Sequence, residues 1–433
     1  MHRRTTPHRS RLTAVAVLGL ALTTMLGACT QGSASNDDPP ADPGSDSTEA
    51  EQVTIRYTNF TAEGGHEADL DAIVAAFEEE NPTISVEVQV LPYADYFTAL
   101  QTAFAGGTAA DVVDLNYDNF VTYAANGVLA PLTDVPEGVY AQSLLDAFSY
   151  EGQQLGLPQQ FSNVVLFYNK GLFDAAGLEY PTADWTWDDV REAATALTDR
   201  EAGVWGDYQP ISFHEFYKAL AQSGGSFFNA DGTEATFAGP EGIEAATWLV
   251  EKSGTVMPTE ADGAGTPDYD VNLFAEGKLA MWHTGIWNFT RMGETEGLEW
   301  DVVVEPGNTQ KASALFPDGV AVTASSEHPE EAQLFAEYLT SSDTAVETRL
   351  ASTWSLPPVA DQSKLDAYLE VTPPENREAV VESLDAVVLA PVIERAQEMQ
   401  DIVTEELGHA AAGRKTVEQA LTDAQERVTA LLG

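Results

Sequence analysis

Polar and apolar positions set out a regular order of elements from Val53 onward. Val53 to Tyr57 alternates with the period of a strand, and Leu70, Ile73, Val74 and Phe77 then recur at the i, i+3, i+4, i+7 spacing of an amphipathic helix. Asn81 and Pro82 stop that helix. Ile84, Val86, Val88 and Val90 alternate again, Phe97, Leu100 and Phe104 share one helical face ended by Gly106 and Gly107, and Val112 to Leu115 reads as a third strand. Strand, helix, strand, helix, strand implies a mostly parallel sheet flanked by helices. Ligands of such sheets gather at the carboxyl ends of the strands, which here carry Asn59 to Glu63 and Asn116 to Asn119.

A second pattern begins at Gly156. Leu157 and Pro158 close an apolar segment, Gln159 to Asn163 offer amide and hydroxyl groups, and Val164 to Tyr168 is a five-residue apolar run of buried-strand length. Asn169 to Gly177 follows as a short helix with a glycine stop. The stretch reads either as a passage between two lobes or as an ordinary core strand. Further on, helices are predicted over 187–197, 215–222 and around Ile243, Ala246 and Val250. Glu276 to Arg291 reads as a buried strand, a glycine turn and an aromatic helix start; 300–304 and 319–322 add strand, and 329–339 and the C-terminus are helical.

Length changes the picture first. At 433 residues the chain exceeds the roughly 250 to 300 at which one hydrophobic core stops growing, so two lobes are expected. Charge is the second departure: 69 acidic against 20 basic residues give a net of -49, and loss of Arg3, Arg4, Arg9 and Arg11 with a leader takes it to about -53. Such a surface excludes nucleic acid and polyanionic lipid as partners. Residues 1–28 have the basic start, short apolar run and small-residue end of an export signal. They close on Leu26, Gly27, Ala28 and Cys29, which resembles the bacterial lipobox, and Cys29 is the only cysteine. Its expected fate is acylation, which anchors the protein to the outer face of the cell membrane. Residues 29–52, rich in Ser, Asp, Pro and Gly, read as a flexible acidic tether.

Several stretches, in this order, carry a family resemblance: GTAADVV (107–113), the LFYNKGLFDAAG core of 155–177, WTWDDV (185–190), GKLAMWHTGIW (277–287), 330–339 and GRKTVEQALTDAQERV (413–428). Together they resemble the extracellular solute-binding proteins of sugar-importing ABC transporters, the family that includes the maltose binder. The resemblance implies a two-lobed periplasmic-binding-protein-like α/β fold, each lobe a mostly parallel sheet flanked by helices, with a mono- or oligosaccharide held in the cleft. It further implies a monomer that hands its sugar to membrane permease subunits driven by a cytoplasmic ATPase. Carried over by position, the crossings fall near Gln160 to Val164, Asp318 to Val322 and Val371 to Arg377. Residues 53–163 and 322–372 then form one lobe, and 164–321 and 373–433 the other. The family's sugar-stacking tryptophan matches Trp287. Its acidic ligand residue at the first crossing is matched by Ser162 or a neighbour, a departure that leaves the sugar open.

Sugars present hydroxyls that donate and accept and an apolar C–H face, so a site for them needs amides, carboxylates and aromatic rings. The expected ligand contacts are Phe60, Glu63, Tyr117, Asp118, Gln160, Asn163, Trp287 and Trp354. Trp187 and Trp282 are expected in the core, and His214 at a helix cap or in solvent. No cofactor, metal ligand or catalytic residue is expected. His214 and Glu215 begin a zinc-protease pattern, but Lys218 stands where the second histidine belongs. Nucleophile-elbow, P-loop and dinucleotide motifs do not occur. A secreted glycoside hydrolase, which needs only two suitably spaced carboxylates, is the competing class.

Overall fold

The computed structural model describes residues 52–62, 65–352 and 355–432. Strand β1 (Val53–Asn59) lies parallel to β2 (Ile84–Val90) and β3 (Val112–Asn116), with α1 (Glu67–Glu80) and α2 (Tyr93–Gly106) as the crossovers. The residues predicted to face inward on α1, Leu70, Ile73, Val74 and Phe77, are its buried ones. Helix α2 stops at Gly107, whose φ of 65° is the left-handed cap geometry that glycine adopts without steric cost.

The sheet's remaining strands depart from the parallel expectation. β4 (Leu157–Asn169) is 13 residues long, far longer than the run Val164 to Tyr168, and pairs antiparallel with β7 (Ser313–Val322) from Leu157↔Val320 to Asn163↔Leu315. The reason is topological: the chain leaves the first lobe along β4 and returns along β7, so these neighbours must run in opposite directions. β5 (Met281–Gly285) and β6 (Trp300–Val303) pair antiparallel with the far half of β4, and β8 (Val387–Val388) pairs with the start of β7. β3 joins the other end of β7, which makes one sheet of eight strands with the path β2-β1-β3-β7-β4-β5.

Core packing marks where one lobe passes into the other. Ile55, Tyr57, Phe77 and Val112 pack with Phe335 and Leu339 of α7 (Pro329–Ser341) on one face of the first sheet half. Tyr96, Leu100, Leu115, Phe120 and Phe148 cover the other face. The second core gathers Val165 to Phe167, Trp282 and Trp300 with α4 (Trp187–Leu197), α5 (Phe213–Gln222), α6 (Pro240–Val250), α8 (Ala396–Ala411) and α9 (Val417–Thr429). Trp187 does dock its helix, stacked on Trp248 at 4.7 Å. Around the expected lobe boundary at 321/322, Val320 and Ala321 pack in the first lobe's cores and Ala314 and Leu315 in the second's. Pairing with β3 begins at Asp318 and draws the chain into the first lobe there.

Inside the second lobe seven polar side chains close a ring. Glu215 meets Lys218 at 2.7 Å, Lys218 meets Glu305 at 3.2 Å, Glu305 meets His283 at 3.0 Å and His283 meets Asp207 at 3.3 Å. Asp207 holds Lys252 at 2.6 Å, Lys252 donates to Gln209 at 2.5 Å, and Gln209 donates back to Glu215 at 2.7 Å. All seven are buried. Burial alone would push His283 down, but Glu305 and Asp207 outweigh it and hold the imidazole above its ordinary value. With His283 protonated, three cations face three carboxylates, the only balance that makes so many buried charges tolerable.

Trp282 bears out its expected core placement, fully buried between Phe167 and Phe274 with its indole N–H 3.1 Å from Asp270. Trp282→Ala is expected to cost about 3 to 5 kcal/mol in urea denaturation. A loss below about 1 kcal/mol would contradict the packing described.

Candidate functional site

The site is organised by one row of the sheet. Asn116 of β3, Asp318 of β7 and Gln160 of β4 are register partners across three neighbouring strands. Gln160 reaches that row because of Pro158. Proline has no N–H for the ladder, the register shifts between Pro158 and Gln160, and such a bulge re-aims the side chains that follow. Gln159 consequently turns into the first lobe, donating to the Tyr57 hydroxyl at 3.0 Å, while the Gln160 amide donates to Asp318 at 2.8 Å. The Gln160 side-chain carbonyl meets no donor. Burial raises the Asp318 carboxyl to about 7, the nearby Asp114 and Asp118 adding to the effect and the Gln160 hydrogen bond opposing it.

Two exposed aromatics flank this row from opposite lobes. Tyr93 is 52% exposed and accepts from the Asn116 amide at 3.1 Å. Trp287 is 56% exposed, whereas Trp187, Trp248, Trp282 and Trp300 are buried. Its ring lies against the backbone of Gly285, where a Cβ would fall 1.9 Å from the indole, so only glycine permits this pose. Phe316 braces it at 5.7 Å, edge to face. Trp287, Gln160, Ser162, Asp318, Tyr368 and Arg377 line a cavity of about 600 Å³.

The deeper layer fixes the β1 loop. Buried Asp114 accepts from the Tyr57 hydroxyl at 2.5 Å, the Asn59 amide at 2.6 Å and the backbone N–H groups of Phe60 and Thr61 at 3.1 and 3.2 Å. Burial raises this carboxyl to about 6 although those donors pull the other way.

Of the expected contacts, Gln160 and Trp287 line the cavity. Phe60 does not: it is buried against Tyr93, Tyr96 and Phe97 and supports Tyr93 from behind. Asn163 is also corrected, since strand alternation turns it away from Gln160 and Ser162 and its amide donates to the Val380 carbonyl at 2.8 Å, buried in the crossing. Tyr117 and Asp118 open α3 (Tyr117–Ala125), capped by the Asn116 side chain. Burial raises Asp118, opposed by His214 of α5 and a hydrogen bond from Gln400 of α8, so this residue meets the second lobe. His214 is half-buried, 5.7 Å from Phe316, rather than a cap or a solvated side chain. Glu63, Trp354 and Cys29 lie outside the described residues. The sequence reading missed Tyr93 and took Asp318 and Arg377 only as parts of crossings; for Asp318, its alternation with Phe316 on one strand face was the available signal.

An interlobe cavity built from polar sheet-end groups and exposed rings defines the class of two-lobed α/β binding proteins. The chain belongs to the bacterial extracellular solute-binding protein family, whose profile matches residues 64–346. It is 43% identical to the ABC substrate-binding protein of Listeria monocytogenes solved in complex with cycloalternan, over 88% of this chain and all of that one, with a TM-score of 0.76. It is 26% identical to the galactooligosaccharide-binding protein of Bacillus subtilis, over 82% of this chain and 84% of that protein. The sugar-binding protein MalE of Xanthomonas citri has the same fold, with a TM-score of 0.77 at 21% identity over 88% and 97% of the two chains.

Asp318 and Asp114 both bind their protons more tightly when folded, so each makes stability fall as pH rises from about 4, the ordinary carboxyl value, through 6 to 7. Asp318→Asn removes one of these two pH-dependent contributions. The melting temperature of the variant relative to wild type should therefore climb between pH 4 and 7 and level off above; a constant difference across that range would refute the raised carboxyl.

Proposed function

We propose that this protein captures a carbohydrate in the interlobe cavity, without transforming it, and delivers it to the permease of an ABC importer. The observation that carries the proposal is the exposed Trp287 ring, seated on Gly285 beside the Asp318–Gln160 pair. A flat apolar surface next to a donor, an acceptor and a titratable carboxyl matches the two chemical faces of a pyranose. The Listeria relative, solved with cycloalternan, makes neutral gluco-oligosaccharides, cyclic ones included, the first ligands to test. In this reading the lobes close about β4, β7 and the segment 371–377, because paired strands bend as a hinge rather than flex as a free linker. Acylated Cys29 holds the monomer at the extracellular face of the membrane through the tether 29–52.

Stacking over about a third of a tryptophan contributes about 1 to 2 kcal/mol, or about a 5- to 30-fold change in affinity. Trp287→Ala should weaken sugar binding by that factor while leaving the apo melting temperature nearly unchanged, as read by calorimetry on a panel of cyclic and linear oligosaccharides. Unaltered affinity with a large loss of stability would place the ring in the core instead. Mass analysis of the recovered sugar should find it intact, and turnover would favour the hydrolase. In membrane fractionation Cys29→Ser should move to the soluble fraction; retention in the membrane pellet would dismiss the anchor.

A further inference from the structure

Arg377 differs from the two buried lysines of this chain. Lys218 and Lys252 are buried too, yet each meets a carboxylate at 2.6 to 2.7 Å. Arg377 is only 7% exposed, and among the described residues no carboxylate lies within ion-pair distance of it, in a chain with 69 acids. Its guanidinium is sandwiched between two rings, 4.6 Å from Tyr368 and 5.1 Å from Phe289, and one terminal nitrogen donates to the Pro373 carbonyl at 3.2 Å. Nε meets no acceptor. Phe289 stands two residues beyond Trp287, which places the cation on the wall that presents the exposed indole, and Arg377 lines the same cavity.

Gln160 is its complement. The amide's N–H is taken by Asp318, and its carbonyl is left as a buried acceptor on the same cavity. Each of these two atoms is unmet and closed off from water, beneath the cavity surface. Leaving either group unmet costs stability, most of all a charged one. A sugar hydroxyl both donates and accepts, so it suits a cavity that carries a guanidinium beside an amide.

We propose that Arg377 is a ligand-contacting, specificity-determining residue of the cavity, its guanidinium donating to a hydroxyl or ring oxygen of the bound sugar beside the Gln160 side chain. The inference rests on the carbohydrate reading and adds to it a polar anchor beside the stacking surface. The rings on either side hold the guanidinium in place before ligand arrives, so little of the side chain's freedom is lost on binding. Lysine keeps the charge and the ring contacts but lacks the planar fork. Methionine keeps the length and loses the donor.

The test is calorimetric titration of wild type, Arg377→Lys and Arg377→Met with cycloalternan and with linear malto-, galacto- and arabino-oligosaccharides, alongside apo melting temperatures. Arg377→Met is expected to bind about 10- to 100-fold more weakly than wild type, the loss of one hydrogen bond from a charged donor. Arg377→Lys should fall between the two. The apo melting temperature of Arg377→Met should be equal to wild type or higher, because an unpaired buried cation is removed. Unchanged affinity in both variants overturns the proposal, as does a parallel loss of affinity and melting temperature in Arg377→Met that lysine restores in full, which would be a packing role. If wild type binds none of these sugars, the carbohydrate reading fails first and the proposal with it.

Discussion

The antiparallel pairing of β4 with β7 is the constraint on which the rest depends. These two strands are at once the passage between the lobes, the centre of a continuous sheet and the floor of the cavity. Apart from the bulge at Pro158, the backbone of the crossing pairs with the neighbouring strand, so the chain spans the gap as part of a sheet. The cleft's chemistry follows from the same register: the row that sets Asp318 between Asn116 and Gln160 lies where the first lobe's strands end and the second lobe's begin.

Regular periodicity made the first lobe legible. The helical face of α1 and the alternation of β1 and β2 are local patterns, and local patterns survive folding when one face is buried. The direction of β4 was not legible, because it depends on a partner about 150 residues away. Trp287 could be placed from a glycine two residues before it, whereas Asn163 and Phe60 could not be excluded, since one slip in strand phase exchanges inside for outside. The bulge at Pro158 supplies such a slip. Tyr93 opens α2 four residues before Phe97 and was within reach of the helical period, whereas Arg377 lies outside the periodic elements read from the sequence and its importance arises only from what surrounds it in space.

Charge is handled differently in three places. At the surface, acids exceed bases more than threefold and repel polyanions. In the cleft and the layer beneath it, burial raises Asp318 to about 7, with the nearby Asp114 and Asp118 adding to the effect, and raises Asp114 to about 6. In the second lobe, opposite charges are matched one for one and shut away from water.

That closed ring separates two properties that are usually tied together. Dissolved ions screen interactions between exposed charges more than about 10 Å apart at ordinary salt, but they screen groups enclosed by protein poorly. The buried ring of the second lobe is consequently insulated from the ionic strength of its surroundings, while the acidic exterior responds to it. Substitutions among the outer acids can then retune solubility for a new habitat without disturbing the scaffold that presents Trp287.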